Sequence, residues 1–222
     1  MELKMKLKRK KRVSNMKKFT ASTLCSLMFI VLSNSLFAAQ VPSESAVQVI
    51  EKFDAVLLEC LKRSDELGYS GRYALLEPIM KKTFFYSLMV RKSTGSYWKT
   101  MSEVQKEELL DKYITWSVGS YADRFTGYKG QQFKVISSKP VRTKYMRVTV
   151  RIKKADKPER RLAYLLMKDR GFWRIIDIKV KGVSQLSLTR AQFKSVLKKE
   201  GFEGLLKIID EKIKAFNHDG NG

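Results

Sequence analysis

The hydrophobic pattern of this chain predicts an α+β fold, with helices packed on one face of a curved antiparallel sheet of about four to five strands. Three observations carry that expectation. Apolar residues recur every three or four positions through the first half of the chain, alternate with polar residues between 132 and 180, and return to helical spacing after Gly182. Two pairs with capping-box spacing, Ser45 with Gln48 and Ser102 with Gln105, stand directly before helical stretches. Short turns join the alternating runs, as in an antiparallel meander.

Taken in order, Val47, Ile50, Phe53, Leu57 and Leu61 mark a helix over roughly 44–67, stopped by Gly68. The stretch GYSGRYALLEPIMKKTF reads as a turn and a second helix, bent or restarted near Pro78. Phe84 to Val90 is a short apolar helix, and Gly95 breaks the chain before Ser96-Tyr97-Trp98. The segment from Ser102 to about Phe125 is the longest expected helix, closed by the turn from Gly127 to Gly130. Residues 132–138 form a strand candidate, ended by Pro140. Within 141–153, Met146, Val148, Val150 and Ile152 alternate with Arg147, Thr149, Arg151 and Lys153, the signature of a half-buried strand. KADKPE is a turn. Strands over 161–168 and 172–180 are joined tightly through Asp169-Arg170-Gly171. Helices over 188–199 and 202–216 are separated by Gly201, and 217–222 is expected to be a disordered tail.

The start of the chain reads as an address. A basic stretch, Lys4 to Lys18, leads into an apolar run from Ala21 to Phe37, followed by the small residues Ala38 and Ala39. That order matches a secretory signal peptide over residues 1–38, with a retained anchor as the alternative. Met16 opens a compact leader of its own, so residues 1–15 are read as lying upstream of the true start. Cys25 sits inside the apolar run behind Leu24, which argues against lipoprotein processing. Residues 39–216 then form a single domain, long enough for a real core.

Removing the nine Lys/Arg and one Glu of the leader takes the formal net charge from +23 to about +15. In a cytosolic protein such an excess suggests nucleic acid. Export favours anionic membrane surfaces or acidic proteins instead, and most of these side chains are expected simply to solvate exposed faces. Only Cys60 remains beyond the leader, so no intramolecular disulfide is expected, and its place in an apolar helical stripe suits a small buried hydrophobe. The single histidine, His218, lies in the tail. That leaves no basis for a histidine triad, a His-rich metal centre or a histidine general base, and no metal or cofactor is expected.

Five motifs in order, GYSGRYALLEPIMKKTF, GSYWKTMSEVQKEELLDKY, SYADRFTGY, GFWRIIDIKVKGVSQLSLTRAQF and KKEGFEGLLKII, resemble the MlaC family, also called toluene-tolerance proteins. The resemblance covers about residues 45–210. It implies a cone-shaped body related to the nuclear-transport-factor-like fold, with added helices and a deep apolar cavity. It also implies a periplasmic phospholipid-binding carrier, monomeric and without catalytic residues. Such a carrier shuttles lipid between an outer-membrane lipoprotein complex and an inner-membrane ABC transporter with an MCE domain, and so maintains outer-membrane lipid asymmetry. Transient contact with membrane surfaces belongs to the same picture; nucleic acid does not. The chain departs from the family where Phe85 and Tyr86 follow Phe84, in place of a frequent Asp, and in its strong basicity. A hopanoid-associated branch is an alternative source of the resemblance.

A lipid with two chains of ~16 carbons exposes methylenes at ~0.8 kcal/mol each, so crossing water unprotected costs on the order of 20 kcal/mol. A carrier must therefore enclose the tails. The expected lining is Tyr97, Trp98, Tyr113, Trp116 and Tyr121 on the helical side, with Met146, Val148, Val150, Tyr164, Leu166, Trp173 and Ile175 on the sheet. An ordinary packed core is the alternative for each. Tyr164, Leu166 and Trp173 share a face if Leu166 lies opposite Trp173, and the KADKPE turn decides whether Val148 and Val150 join them. Arg147, Arg151, Arg161 and Arg174 are candidates for steering partners or anionic headgroups. An isomerase-like enzyme is the rival class, and Asp177, between Ile176 and Ile178, is its one candidate base.

Overall fold

The computed structural model describes residues 44–154 and 157–216. The expected leader, the centre of the KADKPE turn and the tail with His218 lie outside the described residues.

Helix α1 (Ala46–Lys62) starts at Ser45, whose hydroxyl accepts from the Gln48 N–H while the Gln48 side chain accepts from the Ser45 N–H. This reciprocal cap satisfies two of the N–H groups that every helix start leaves without an intrahelical partner. One residue, Arg63, separates it from α2 (Ser64–Thr83). The bend expected near Pro78 lies instead at Gly68, the non-helical residue of α2, while Pro78 is carried inside the helix. The short α3 (Tyr86–Thr94) and a 3-10 turn (Gly95–Lys99) lead to α4 (Glu103–Arg124), which carries the second capping box, Ser102 with Gln105.

Five strands follow: β1 (Gln132–Arg142), β2 (Tyr145–Lys154), β3 (Lys157–Asp169), β4 (Phe172–Val180) and β5 (Val183–Ser184). They form one sheet in the order β1-β2-β3-β4-β5, with every neighbour antiparallel. β1 passes through Pro140, where the sequence suggested a break. As an edge strand it tolerates the missing donor, and the register slips just beyond, between Pro140 and Arg142.

The register sets the inner face. Val148 pairs with Tyr164 and Tyr164 with Ile178; Met146 pairs with Leu166 and Leu166 with Ile175. Trp173 pairs with Lys168 rather than Leu166, yet its spacing from Ile175 keeps it on the same face. A bulge at Ile176 lets Ile175 and Ile178 both face inward, with Asp177 between them. The Phe85 N–H donates to the Ile175 carbonyl at 2.8 Å, covering part of the outer edge of β4.

Helix α5 (Gln185–Lys214) is capped by the Ser184 side chain, which accepts from the Ser187 N–H, and it is broken at Gly201 (φ 69°) as the sequence suggested. The observed architecture is thus the expected α+β arrangement: five helices packed with an open five-stranded antiparallel sheet. The core lies where α1 crosses the sheet. Fully buried Phe53 stands edge-on to Phe84, Tyr121 and Tyr164, with ring centroids 5.3, 5.8 and 6.3 Å away. Cys60 is free and buried in the same cluster.

Candidate functional site

Between α4, the first turns of α5 and the inner face of β3 and β4 lies a cavity of about 1110 Å³. Pockets for drug-sized ligands run to ~300–1,000 Å³, so this one suits a larger guest.

Which lining residues are buried and which are exposed tells where the cavity opens. Phe84, Met89, Tyr113, Tyr164 and Ile178 are buried and make the floor. Arg124, Arg160, Arg161, Lys179, Lys181, Leu188 and Gln192 are exposed and make the mouth. Helix α4 contributes Tyr113, Trp116, Ser117, Ser120, Tyr121 and Arg124, a stripe at helical spacing. The Tyr86 hydroxyl donates to the Ser117 hydroxyl at 3.1 Å and fixes the helix against α3. Tyr113 and Trp116 stand edge-on, 5.5 Å apart, and Lys212 lies over the Trp116 ring at 5.7 Å.

Burial pushes the Tyr113, Tyr121 and Tyr164 phenols well above their ordinary values, so the aromatic wall is uncharged at neutral pH. Asp177 lines the cavity and is buried, and one of its carboxylate oxygens accepts from the Leu186 N–H at 3.0 Å. That contact sits at the positive end of α5, where a carboxylate anchors the helix start. Among the described residues no cluster of His, Cys, Asp and Glu could hold a metal ion, and no helix is long and apolar enough to cross a membrane.

Of the twelve residues named from the sequence, Tyr113, Trp116, Tyr121 and Tyr164 line the cavity. Val148, Val150, Leu166 and Ile175 are fully buried in the core on the same sheet face. Met146, Trp173, Tyr97 and Trp98 are partly buried and pack against that core without reaching the cavity lining. Of the charged candidates, Arg147, Arg161 and Asp177 line the cavity while Arg151 and Arg174 do not, and the rest of the polar and cationic lining was missed. Ser117, Ser120 and Arg124 follow from the helical spacing set by Tyr113. Leu162 and Ile178 share the face of Tyr164, whereas Leu186, Thr189 and Gln192 follow only from the placement of α5.

The description of the MlaC protein family matches residues 51–211, well over half of the chain. The chain belongs to the MlaC family. A relative from Haemophilus influenzae, the intermembrane phospholipid transport system binding protein MlaC, is 27% identical over 119 residues; these make up 52% of this chain and 56% of the relative. The chain thus spans about half the length of that curated relative. Among solved structures, a phospholipid-binding protein from Ralstonia solanacearum in complex with a phospholipid superposes with a TM-score of 0.68 at 18% identity. That match covers 78% of this chain and 99% of the other. At that identity the likeness shows the shared fold, the α+β architecture expected of the MlaC family.

Proposed function

We propose that this MlaC-family protein is a passive periplasmic phospholipid shuttle. It carries lipid between an outer-membrane lipoprotein complex and an inner-membrane MCE-type ABC transporter, and so helps to keep the outer membrane asymmetric. The observation that carries the reading is the cavity of about 1110 Å³, with a buried aromatic and aliphatic floor and a charged mouth. An amphiphile fits that polarity: acyl tails inside, polar head outward. The tails of a two-chain lipid lose on the order of 20 kcal/mol in water, and burying them in such a cavity removes much of that barrier to crossing an aqueous gap.

No catalytic step is assigned. Asp177, the one candidate base, is engaged by the Leu186 N–H and serves the start of α5. The descriptions of the relatives, phospholipid binding and intermembrane phospholipid transport, agree with a carrier. Residues 1–38 act as the export signal in this reading. The test is transfer across a gap. Donor vesicles with labelled phospholipid and unlabelled acceptor vesicles are held on opposite sides of a membrane permeable to the protein alone. Label reaching the acceptors only when the protein is present supports the shuttle; no transfer by folded protein rejects it.

A further inference from the structure

The mouth of the cavity has a composition that a neutral amphiphile would not require. Arg124 on α4, Arg160 on β3, Lys179 and Lys181 at the end of β4, and Lys212 near the end of α5 all border the same cavity. Arg160 shares the inner sheet face with Ile152 and Leu162, so its strand register directs it to the cavity side, whereas Lys179, paired with Ala163, borders the cavity from the other face of β4. Lys181 is held at the rim by the backbone: with Gly182 it forms the tight β4–β5 turn, both at positive φ (51° and 82°).

Two carboxylates also line the cavity, and both already have partners in the protein. Glu159 lies 3.0 Å from Arg161 and 3.7 Å from Arg151, and Asp177 accepts from the Leu186 N–H. Among the described residues, none of the five cations named above forms an ion pair. The rim therefore presents a surplus of positive charge to whatever headgroup sits in it.

We infer that this rim selects phospholipids whose headgroup has a net negative charge over zwitterionic aminophospholipids. The inference rests on the phospholipid-carrier reading above. Both lipid classes bring a phosphate that the rim attracts. A zwitterionic headgroup also brings an ammonium, which must sit among the same lysines and arginines, whereas a glycerol headgroup brings no opposing charge. Solvent screens each exposed side chain, so the discrimination comes from the sum over the rim rather than from one contact.

The experiment offers both lipids on one surface. Delipidated protein is incubated with vesicles containing equal amounts of phosphatidylglycerol and phosphatidylethanolamine with identical acyl chains. It is then separated from the vesicles, extracted and read by mass spectrometry. Because both lipids share each vesicle, attraction of the basic protein to the vesicle favours neither. The expected result is about a fivefold excess of phosphatidylglycerol in the extract, falling toward parity in the R160Q/K179Q/K181Q variant. All three side chains are exposed, and an unchanged thermal midpoint verifies that the variant is folded. Parity in the wild-type protein, or an excess that survives the triple substitution, overturns the selectivity while leaving the carrier standing. Absence of both lipids from folded wild-type protein overturns the carrier reading itself, and the selectivity with it.

Discussion

The Tyr164 hydroxyl donates to the Asp54 carboxylate across 3.5 Å, tying the floor of the cavity to the middle of α1. Burial pushes the Asp54 carboxyl from its ordinary 3.8 up to about 7, against the opposing effect of that hydrogen bond. A group that binds its proton more tightly when folded contributes stability in full below about pH 4. That contribution is lost as the pH rises toward 7, because the unfolded chain ionises first. The difference is on the order of a few kcal/mol. Urea unfolding at pH 5 and pH 8 should show wild-type protein losing stability relative to Asp54→Asn as the pH rises. Parallel behaviour of the two proteins would contradict a buried, protonatable Asp54.

Phe53 joins the helical and sheet halves of the core through its edge-on contacts with Phe84, Tyr121 and Tyr164. Truncation to Ala leaves a void among side chains that cannot all collapse into it. Phe53→Ala should therefore cost about 3–5 kcal/mol, measured by chemical denaturation. A loss under about 1 kcal/mol would mean that the site repacks freely.

Ser120 lines the cavity from α4 and is half-buried. Replacing it with Trp puts an indole into the space assigned to acyl chains. Ser120→Trp should keep its far-UV circular dichroism while its bound lipid falls severalfold. Full loading in the folded variant would place the lipid elsewhere.

Asp177 separates the carrier from an enzyme of the same fold. Its carboxylate holds the first turn of α5, so Asp177→Ala should lose about 1 kcal/mol of stability, and Asp177→Asn, which keeps an acceptor oxygen, less. Lipid loading should persist in the Asn variant. Loss of lipid without loss of stability would give the charge itself a role in binding.

The helix starts and the sheet were legible because local chemistry decides them. Ser45 with Gln48 and Ser102 with Gln105 cap the helices that their spacing predicts, and the alternation of Met146, Val148 and Val150 survives as one sheet face. The cavity lining was legible only in part, for a tertiary reason. Periodicity says that Val148, Leu166 and Ile175 point inward; it does not say that α1 crosses that region and fills it with Phe53. The open space lies further along the same face, under α4 and the start of α5, where Tyr164, Leu186 and Thr189 all line it. Pro140 misled for a similar reason, since only the finished sheet makes β1 an edge.

The central claim is that the cavity between sheet and helices holds a phospholipid. Organic extraction and mass spectrometry of the purified protein test it most directly. Stoichiometric phospholipid, released on unfolding and depleted in Ser120→Trp, is the predicted result. Protein that is folded and free of lipid, or that carries a hopanoid or fatty acid in its place, would contradict the account.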